Sequence, residues 1–415
     1  MQRYEDVAIP MQANLKDVEI INQTTLYDFD ALIKSRPCHI FSDEDIDYLN
    51  ELSRVLIQDQ RTRSYPDVAT FSFFCRRANL IGLKNKFKKE GRIEVGRGIL
   101  FHIAPSNVPV NFAYSLIVGL LSGNINIVKV PSKNFEQVEI IVNAINNLSR
   151  GRRYESVSNR IFLVKYDRDN NHATKYFSSI CNVRIIWGGN ESIRRIREHT
   201  LSPRAFDVTF PDRYSLCVIN ADSYIAEKNT SKVAEGFYND TYLFDQNACT
   251  SPHLIVWLGS KQNVKKSQSV FWDSLHELVK DRYTLQSVQV VDKITEFLNQ
   301  SLNIEGIKKS KTKDNLLWRI KLERLDGNIE DFRCSGGYFN EYHASSISEI
   351  TSVINTKYQT MSYYGIPKKE LIEFIYQEKP NGIDRITPIG KTMDFSFNWD
   401  GYDLIHTLSR VIEVS

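Results

Sequence analysis

Short apolar runs alternate with stretches of helical periodicity along the middle of the chain. The runs at residues 98–104, 124–130, 161–165 and 183–187 have the length of buried strands, and segments with one apolar helical face separate them. Apolar strands that alternate with helices are typical of a parallel sheet covered by helices on both sides. The pattern therefore predicts an α/β fold with a doubly wound sheet.

Capping residues predict where two of the helices begin. Ser42 is followed three residues later by Asp45, and the residues after it repeat at helical spacing: Ile46, Leu49, Leu52 and Leu56. Asn134 and Gln137 fit a capping box for the helix that follows the second strand. Loss of the helix that begins at Ser42 is expected to cost stability and not chemistry.

A second alternation of strands and helices begins near Ser215. It comprises a strand at 215–219, a helix from about Ser231, a strand at 253–257 and a helix over about 262–280. A chain of 415 residues exceeds one ordinary domain, so two lobes are expected. Residues 1–41 lack clear periodicity and are interpreted as an arm on another lobe. The aromatic, alternating tail at 393–415 is predicted to add a strand to another lobe or another subunit.

Composition and charge narrow the class of protein. The chain is 42% hydrophobic and 25% charged, which is ordinary for an enzyme, and its net charge is only +3. That charge is too small for a nucleic-acid-binding surface. The most apolar stretch, 108–130, is broken by Asn, Gly and Lys residues and fails the criterion for a membrane span. The first ten residues carry acids and no apolar core, so they are not expected to be a secretory signal.

The cysteines show no pairing pattern. They are scattered along the chain, at Cys38, Cys75, Cys181, Cys217, Cys249 and Cys334. Reduced thiols are therefore expected, and the protein is predicted to be cytoplasmic. No His and Cys residues have the spacing of metal ligands, so no metal is expected.

Three loops lie where ligands of parallel sheets bind, beyond the carboxyl ends of the strands. They are residues 105–109, 131–134 and 188–190. The sequence contains neither GxGxxG nor the glycine pattern of a P-loop, so any nucleotide must be held in another way.

Cys249 is the candidate nucleophile. It lies between an apparent helix and the apolar run at 253–257, on a short segment rich in Asp, Gln, Asn, Thr and Ser. Most cysteines of cytosolic proteins are small core residues, and this is the alternative interpretation. The polar surroundings are unusual for a core position, and a thiol on such a loop can face a cleft.

Four sequence blocks resemble the acyl-CoA reductase family, which is typified by the long-chain fatty acid reductase subunit of bacterial bioluminescence (LuxC-like). They are HIAPSNVPVNFAYSLIVGLLSGNINIVKVPS (102–132), WGGNESIRRI (187–196), DQNACTSPHLIVW (245–257) and DRITPIGKTMDFSFNWDGYDLIHTLSR (384–410). The family is a branch of the aldehyde dehydrogenase superfamily, and the blocks occur in its order. The resemblance implies an aldehyde dehydrogenase-like fold with two doubly wound α/β lobes and a C-terminal oligomerisation element.

The resemblance also implies a division of labour along the chain. Residues 1–213 would form an N-terminal arm and the nucleotide-binding lobe, and residues 214–360 the catalytic lobe. Residues 361–415 would form a return segment and an oligomerisation strand of a homodimer or homotetramer.

The resemblance implies that Cys249 takes up the acyl group as a thioester. Asn107 would donate its side-chain amide to the thioester oxygen beside the backbone N–H of Cys249, which together form an oxyanion hole. The alternative role for Asn107 is that of a helix N-cap before Pro109.

The cofactor implied is NADPH, with NADH possible. Lys129 resembles the superfamily lysine that contacts the adenosine ribose. Three residues on, Ser132 stands where many NAD-preferring relatives carry a glutamate, and a hydroxyl followed by Lys133 would accept a 2′-phosphate that a carboxylate repels. The other residues assigned to the cofactor site are Pro105, Ser106, Pro131, Gly188 and Gly189.

The segment SPRAFDVTFPDRYS (202–215) lacks the glutamate base that hydrolytic aldehyde dehydrogenases carry there. Its absence favours reduction of an acyl thioester to an aldehyde, with an acyl-CoA or an acyl-protein as donor. Asp207 and His199 could handle protons, or each could form a surface salt bridge. The alternatives are an aldehyde-oxidising dehydrogenase with a relocated base, an idle subunit that binds an acyl-activating or acyl-transferring partner, and a cysteine acyltransferase or thioesterase without nicotinamide.

Overall fold

The computed structural model describes residues 15, 17–23, 29–89, 91–312, 314–325 and 327–415. Residue contacts divide the chain into two units. The first ends at Pro211 and takes up Tyr402–Ser415, and the second covers Asp212–Gly401. The sequence predicted a nucleotide-binding lobe up to residue 213, a catalytic lobe up to residue 360 and an oligomerisation segment after it. These roles stay a prediction.

The strands carry the labels used below. They are β1 (Glu19–Ile20), β2 (Ile93–Gly96), β3 (Ile99–Ile103), β4 (Ile125–Lys129), β5 (Ile161–Lys165), β6 (Val183–Trp187), β7 (Phe206–Phe210), β8 (Tyr214–Asn220), β9 (Pro252–Leu258), β10 (Lys308–Lys309), β11 (Trp318–Lys321), β12 (Tyr338–Ala344), β13 (Tyr358–Tyr364), β14 (Arg385–Pro388), β15 (Asn398–Trp399), β16 (Tyr402–Asp403) and β17 (Ser409–Ile412).

The helices are α1 (Phe29–Ile33), α2 (Asp43–Gln58), α3 (Pro66–Phe74), α4 (Arg77–Phe87), α5 (Asn111–Leu121), α6 (Glu136–Ser149), α7 (Glu155–Ser158), α8 (Asn171–Ile180), α9 (Asn190–Arg197), α10 (Ala221–Ala226), α11 (Thr230–Thr241), α12 (Lys261–Arg282), α13 (Ser287–Asn303), α14 (Lys368–Glu378) and α15 (Leu404–Leu408). Single turns of 3-10 helix lie at Gln60–Ser64, Arg152–Tyr154, Tyr242–Phe244, Ile329–Asp331 and Ile347–Ser352.

The first unit is built on a sheet with strand order β1-β5-β4-β3-β6-β7. Strands β3 to β7 are parallel, and β1 pairs antiparallel with β5 at the edge. The order reverses at β3, because β4 and β5 lie on one side of it and β6 and β7 on the other. Every residue of β3 is buried, as expected for a central strand covered on both faces. The predicted doubly wound sheet is confirmed.

Of the predicted N-terminal arm, residues 1–14, 16 and 24–28 lie outside the described residues. The described part lies on the first unit itself. Glu19–Ile20 forms β1, and Phe29 and Leu32 join the apolar cluster around β3 and β5. This part of the arm is therefore a piece of the core of its own unit.

One predicted helix start is confirmed and one is wrong. Ser42 caps α2, and its hydroxyl accepts the backbone N–H of Asp45 at 3.1 Å. The N-cap of α6 is Phe135, without a side-chain bond, and Asn134 is instead the acceptor for the Lys165 ammonium at 2.9 Å. Asn134, which the sequence pattern assigned to the helix cap, therefore bonds to Lys165 at the end of β5 instead.

The C-terminal tail does add a strand. Strand β17 pairs antiparallel with β2 of the same unit, from Ser409 opposite Gly96 to Ile412 opposite Ile93. Just before it, the Leu408 carbonyl accepts Asn124 Nδ2–H at 2.9 Å. Residues 402–415 of the tail are thus part of the first unit, whereas residues 393–401 belong to the second. The predicted role of the tail in oligomerisation stays a prediction.

The second unit is built on a sheet with strand order β10-β11-β12-β9-β8-β13-β14, parallel except for β10. Alternate residues of β8 and β9 point to opposite faces. Leu216 and Val256 join one apolar cluster, while Cys217 and Trp257 join the other, against α11 and α12. The segment with Cys249 precedes β9, so it lies at the amino edge of this sheet.

The described residues contain neither a membrane-spanning helix nor a cluster of metal-ligating side chains. No helix there has the length and apolar character that a membrane crossing requires. No group of three or more His, Cys, Asp or Glu side chains there has an arrangement that could hold a metal ion.

Candidate active site

The three loops predicted to bind a ligand line one cavity of about 220 Å³ in the first unit. The cavity lies beyond the carboxyl ends of β3, β4 and β6, where the strand order reverses. This is the position at which open α/β sheets bind nucleotides. Eight residues singled out in the sequence line it: Pro105, Ser106, Asn107, Lys129, Pro131, Ser132, Gly188 and Gly189. Lys133 is not among its lining residues.

The cavity wall is cationic. Lys129 Nζ lies 4.0 Å from the centre of the Tyr166 ring, and burial lowers the pKa of its ammonium to about 8. Arg168 and Arg195 also line the cavity. Neither is committed to a buried partner, because Arg168 donates to Ser192 Oγ at 3.3 Å and Arg195 pairs with the exposed Asp169 at 3.2 Å. An anion in the cavity would therefore meet three cations, two of which the sequence patterns had not identified.

Asn107 is exposed on the cavity wall. It does not cap a helix, because the N-cap of α5 is Val110 and no side chain bonds there. The alternative role considered for Asn107 is thus not the one it has. Its amide is therefore not held as a helix cap and can face a ligand in the cavity.

A buried polar network holds Trp187, which lines this cavity. Asn126 Nδ2 donates to the Asn124 carbonyl, so its Oδ1 accepts His102 Nε2–H at 3.1 Å. His102 Nδ1 then accepts the Ser115 hydroxyl at 2.7 Å, and Ser115 Oγ accepts Trp187 Nε1–H at 3.2 Å. Burial lowers the pKa of His102 to about 4, which keeps the ring neutral as the network requires. Trp187, which lines the cavity, is held in one orientation.

Asp207 serves the fold. Arg184 is 1% exposed and donates to both carboxylate oxygens of Asp207, at 2.7 and 3.1 Å. Its remaining nitrogen donates to Ser178 Oγ and to the His199 carbonyl, each at 2.9 Å. The salt bridge predicted for Asp207 exists, and it is buried. The His199 side chain lines the cavity.

Cys249 lies in the second unit on a loop with little freedom. Asp245 and Gln246 both adopt left-handed backbone angles, with φ of 52° and 60°. The Gln246 side chain bonds four backbone groups, donating to Pro252 and Tyr338 and accepting from Gly337 and Tyr338, at 3.0 to 3.1 Å. Ser215 Oγ–H donates to the Cys249 carbonyl at 2.6 Å. The loop is therefore fixed before any substrate binds.

Cys249 is half-buried. Burial raises its pKa to about 12, and the Asp400 carboxylate adds to the rise, while the Gln359 amide and Arg213 oppose it. The thiolate is the nucleophilic form. Within this unit the cysteine thus needs a proton acceptor, and Gln359 and Asp400, to which the sequence analysis gave no role, are its polar neighbours.

Known proteins resemble this chain in sequence. Residues 84–412 match the family described as acyl-CoA reductase (LuxC). A stretch of 180 residues is 24% identical to long-chain acyl-protein thioester reductase 2 of Photobacterium leiognathi and covers 43% of this chain and 34% of that protein. A stretch of 325 residues is 21% identical to the long-chain acyl-protein thioester reductase of Photobacterium phosphoreum, covering 76% and 62%. The chain thus spans less than two thirds of the length of these relatives.

Solved structures share the fold. The 1-pyrroline-5-carboxylate dehydrogenase of Thermus thermophilus has a TM-score of 0.61 at 11% identity, over 92% of this chain and 83% of that one. The NADP-dependent glyceraldehyde-3-phosphate dehydrogenase of Bacillus halodurans, complexed with NADP, has a TM-score of 0.60 at 13% identity, over 89% and 85%. The predicted aldehyde dehydrogenase-like fold is confirmed. Because the family match includes the cavity loops and Cys249, the chain belongs to the acyl-CoA reductase (LuxC) family.

Proposed function

We propose that the protein reduces an acyl thioester to an aldehyde with NADPH, through an acyl group held on Cys249. The observation that carries the proposal is the gathering of seven residues from three separated loops, together with Lys129 at the end of β4, around one cavity. The family match of the chain also includes Cys249. The relatives named as acyl-protein thioester reductases support an acyl-protein donor, and the family description supports an acyl-CoA.

The first-unit cavity has the donor set for a phosphorylated nicotinamide nucleotide. Lys129, Arg168 and Arg195 supply positive charge, and Ser132 supplies a hydroxyl where a carboxylate would repel a 2′-phosphate. A structural neighbour binds NADP, which is consistent with this choice. NADPH, when bound, supplies the hydride that turns the acyl carbon into an aldehyde.

The chain itself supplies the nucleophile and the oxyanion donors. The sulfur of Cys249 attacks the acyl carbon of the thioester, the bond to the first thiol breaks, and that thiol leaves with the cysteine proton. We assign to the Asn107 amide and the Cys249 backbone N–H the stabilisation of the negative oxygen in this step. One such donor lowers the barrier by roughly 3–4 kcal/mol.

The environment of Asp207 supports reduction over aldehyde oxidation. Oxidation to an acid needs a base that activates water against the acyl-enzyme. The stretch at 202–215 contains no glutamate, and its Asp207 is engaged by Arg184 on both oxygens. The acyl group on Cys249 would therefore persist until hydride arrives.

The test uses Cys249→Ala and, as a matched control, Cys38→Ala, because both cysteines are half-buried. Each protein is mixed with a panel of acyl-CoAs of different chain length, and thiol release, NADPH oxidation and aldehyde are measured. We expect the Cys38 variant to retain all three signals and the Cys249 variant to lose them. Retention of thiol release and NADPH oxidation by the Cys249 variant would refute the proposal. A carboxylic acid as product would favour the aldehyde-oxidising alternative.

A further inference from the structure

The chain segment that ends at Asp400 runs beside the Cys249 loop. The hydroxyl of Thr250, next in sequence to the cysteine, donates to Met393 Sδ at 3.3 Å. Arg385, near the start of the same segment, would be favoured in its charged form by a thiolate at Cys249. Residues 385–400 therefore supply part of the environment of the thiol, although the family motifs gave them no role.

Gln359 holds Asp400 beside the Cys249 loop. It lies on β13, is only 2% exposed, and donates its Nε2–H to the Asp400 carboxylate. The next residue, Thr360, donates its backbone N–H to Ser215 Oγ at 3.2 Å, and Ser215 donates to the Cys249 carbonyl at 2.6 Å, so β13 adjoins the Cys249 loop. The Gln359 amide also opposes the rise in the pKa of the Cys249 thiol. Among the described residues its Oε1 has no hydrogen-bond partner, which leaves this buried amide half-satisfied.

The charges around Asp400 come from several elements. Arg213, just before β8, favours the ionised carboxylate and also pairs with Asp384, whose own charge opposes ionisation of Asp400. Burial has the largest effect and raises the pKa of Asp400 to about 6. The group is thus ionised at pH 7 but close enough to its pKa to take up and return a proton, which is the condition for general acid–base catalysis.

We propose that Asp400 is the proton acceptor for the Cys249 thiol and the proton donor to the departing thiol, with Gln359 as the positioning residue. This inference rests on the proposed function. In the first step the Cys249 S–H proton passes to the Asp400 carboxylate while the sulfur bonds to the acyl carbon. In the second the bond to the first thiol breaks, and the proton passes from Asp400 to its sulfur. The net reaction is cysteine plus thioester giving acyl-cysteine plus free thiol, so atoms and charge balance.

The backbone conformation of Asp400 limits which substitutions can test its role as proton acceptor. Asp400 has a φ of 48°, in the left-handed region, and Gly401 follows with a φ of 76°. Asparagine tolerates this region as aspartate does, whereas alanine would be strained there. Asp400→Asn therefore removes the proton acceptor and keeps shape and backbone. Asp394→Asn, in an exposed pair with Lys391 on the same segment, is the matched control.

The experiment measures acylation of Cys249 from pH 5 to 9 with two probes. One probe is an acyl-CoA, whose thiol is the poorer leaving group and gains from a proton. The other is p-nitrophenyl acetate, whose leaving group needs no proton. We expect the wild-type rate to fall as pH falls through about 6, since a protonated Asp400 cannot accept a proton. At pH 7 we expect Asp400→Asn to be slower by about 10²–10⁴-fold with the acyl-CoA and by a smaller factor with the ester.

A purely electrostatic role for Asp400 predicts the opposite sign. Removing a neighbouring negative charge lowers the pKa of the thiol, so Asp400→Asn would then react as fast as the wild type or faster with both probes. That result would overturn the inference, as would an equal loss with both probes accompanied by a lower thermal unfolding midpoint.

The two proposals fail in distinguishable ways. If wild-type protein reacts with no acyl-CoA or acyl-protein, the proposed function fails, while the comparison with p-nitrophenyl acetate still decides the role of Asp400. If the wild type releases thiol from acyl-CoA and Asp400→Asn does so equally fast, the proposed function stands and Asp400 is not the proton acceptor.

Discussion

Replacing Asp207 by asparagine should destabilise the first unit without abolishing catalysis. Asp207 accepts two hydrogen bonds from Arg184, which is 1% exposed, and a third from the more exposed Arg197 at 3.3 Å. The asparagine keeps the shape of the side chain and one acceptor oxygen. It removes the second acceptor and the charge that compensates the buried guanidinium.

The magnitude follows from the burial of Arg184. Removing one partner of a buried pair typically costs about 3–5 kcal/mol, because an uncompensated charge remains. The pair with Arg197 is worth at most about 1 kcal/mol at its exposure. For a unit of this size the midpoint of thermal unfolding shifts by roughly 2–4 °C per kcal/mol, so we expect a decrease of roughly 6–20 °C.

The assay combines thermal unfolding with turnover at low temperature, where the variant is still folded. Asp169→Asn is the control, because Asp169 pairs with Arg195 at the surface and should cost less than about 1 kcal/mol. We expect Asp207→Asn to unfold early and to keep most of its turnover number per folded molecule. Unchanged stability with loss of turnover would contradict this reasoning and would make Asp207 the relocated base of an aldehyde-oxidising enzyme.

Two further variants test the first-unit cavity. Asn107→Ala should lower kcat by about 10²–10³-fold, the usual loss of one oxyanion donor, with an unchanged unfolding midpoint because Asn107 caps no helix; an unchanged kcat would remove it from the mechanism. Ser132→Glu should lower kcat/KM for NADPH relative to NADH by at least about tenfold, because a carboxylate beside the 2′-phosphate repels it; an unchanged ratio would mean that the phosphate binds elsewhere.

Much of the fold could be predicted because its strands are apolar on both faces. β5 and β6 have the predicted bounds, and β3, β4, β8 and β9 differ from the predicted bounds by one residue at each end. A short run that is apolar on both faces is buried on both sides only in the interior of a covered sheet, so its position could be predicted. The three ligand loops followed from the strands, because parallel strands bring their carboxyl ends to one edge.

The remaining features depend on contacts between distant residues. Asn134 fits a cap in sequence, but Lys165, 31 positions away, takes its side chain. Asp400 stood inside a recognised block and still received no role, because a hydrogen bond from Gln359, 41 positions earlier, is what ties it to the strand beside the Cys249 loop. The tail showed alternation typical of a strand, but only the structure pairs it with β2.

The most direct test of the account is the mass of the intact protein after incubation with acyl-CoAs of different chain length, with and without NADPH. The account predicts that one acyl group appears on the wild type and not on Cys249→Ala, and that NADPH removes it with release of one aldehyde. An acyl group that persists in NADPH, or one that forms equally on Cys249→Ala, would contradict reduction through an acyl-cysteine.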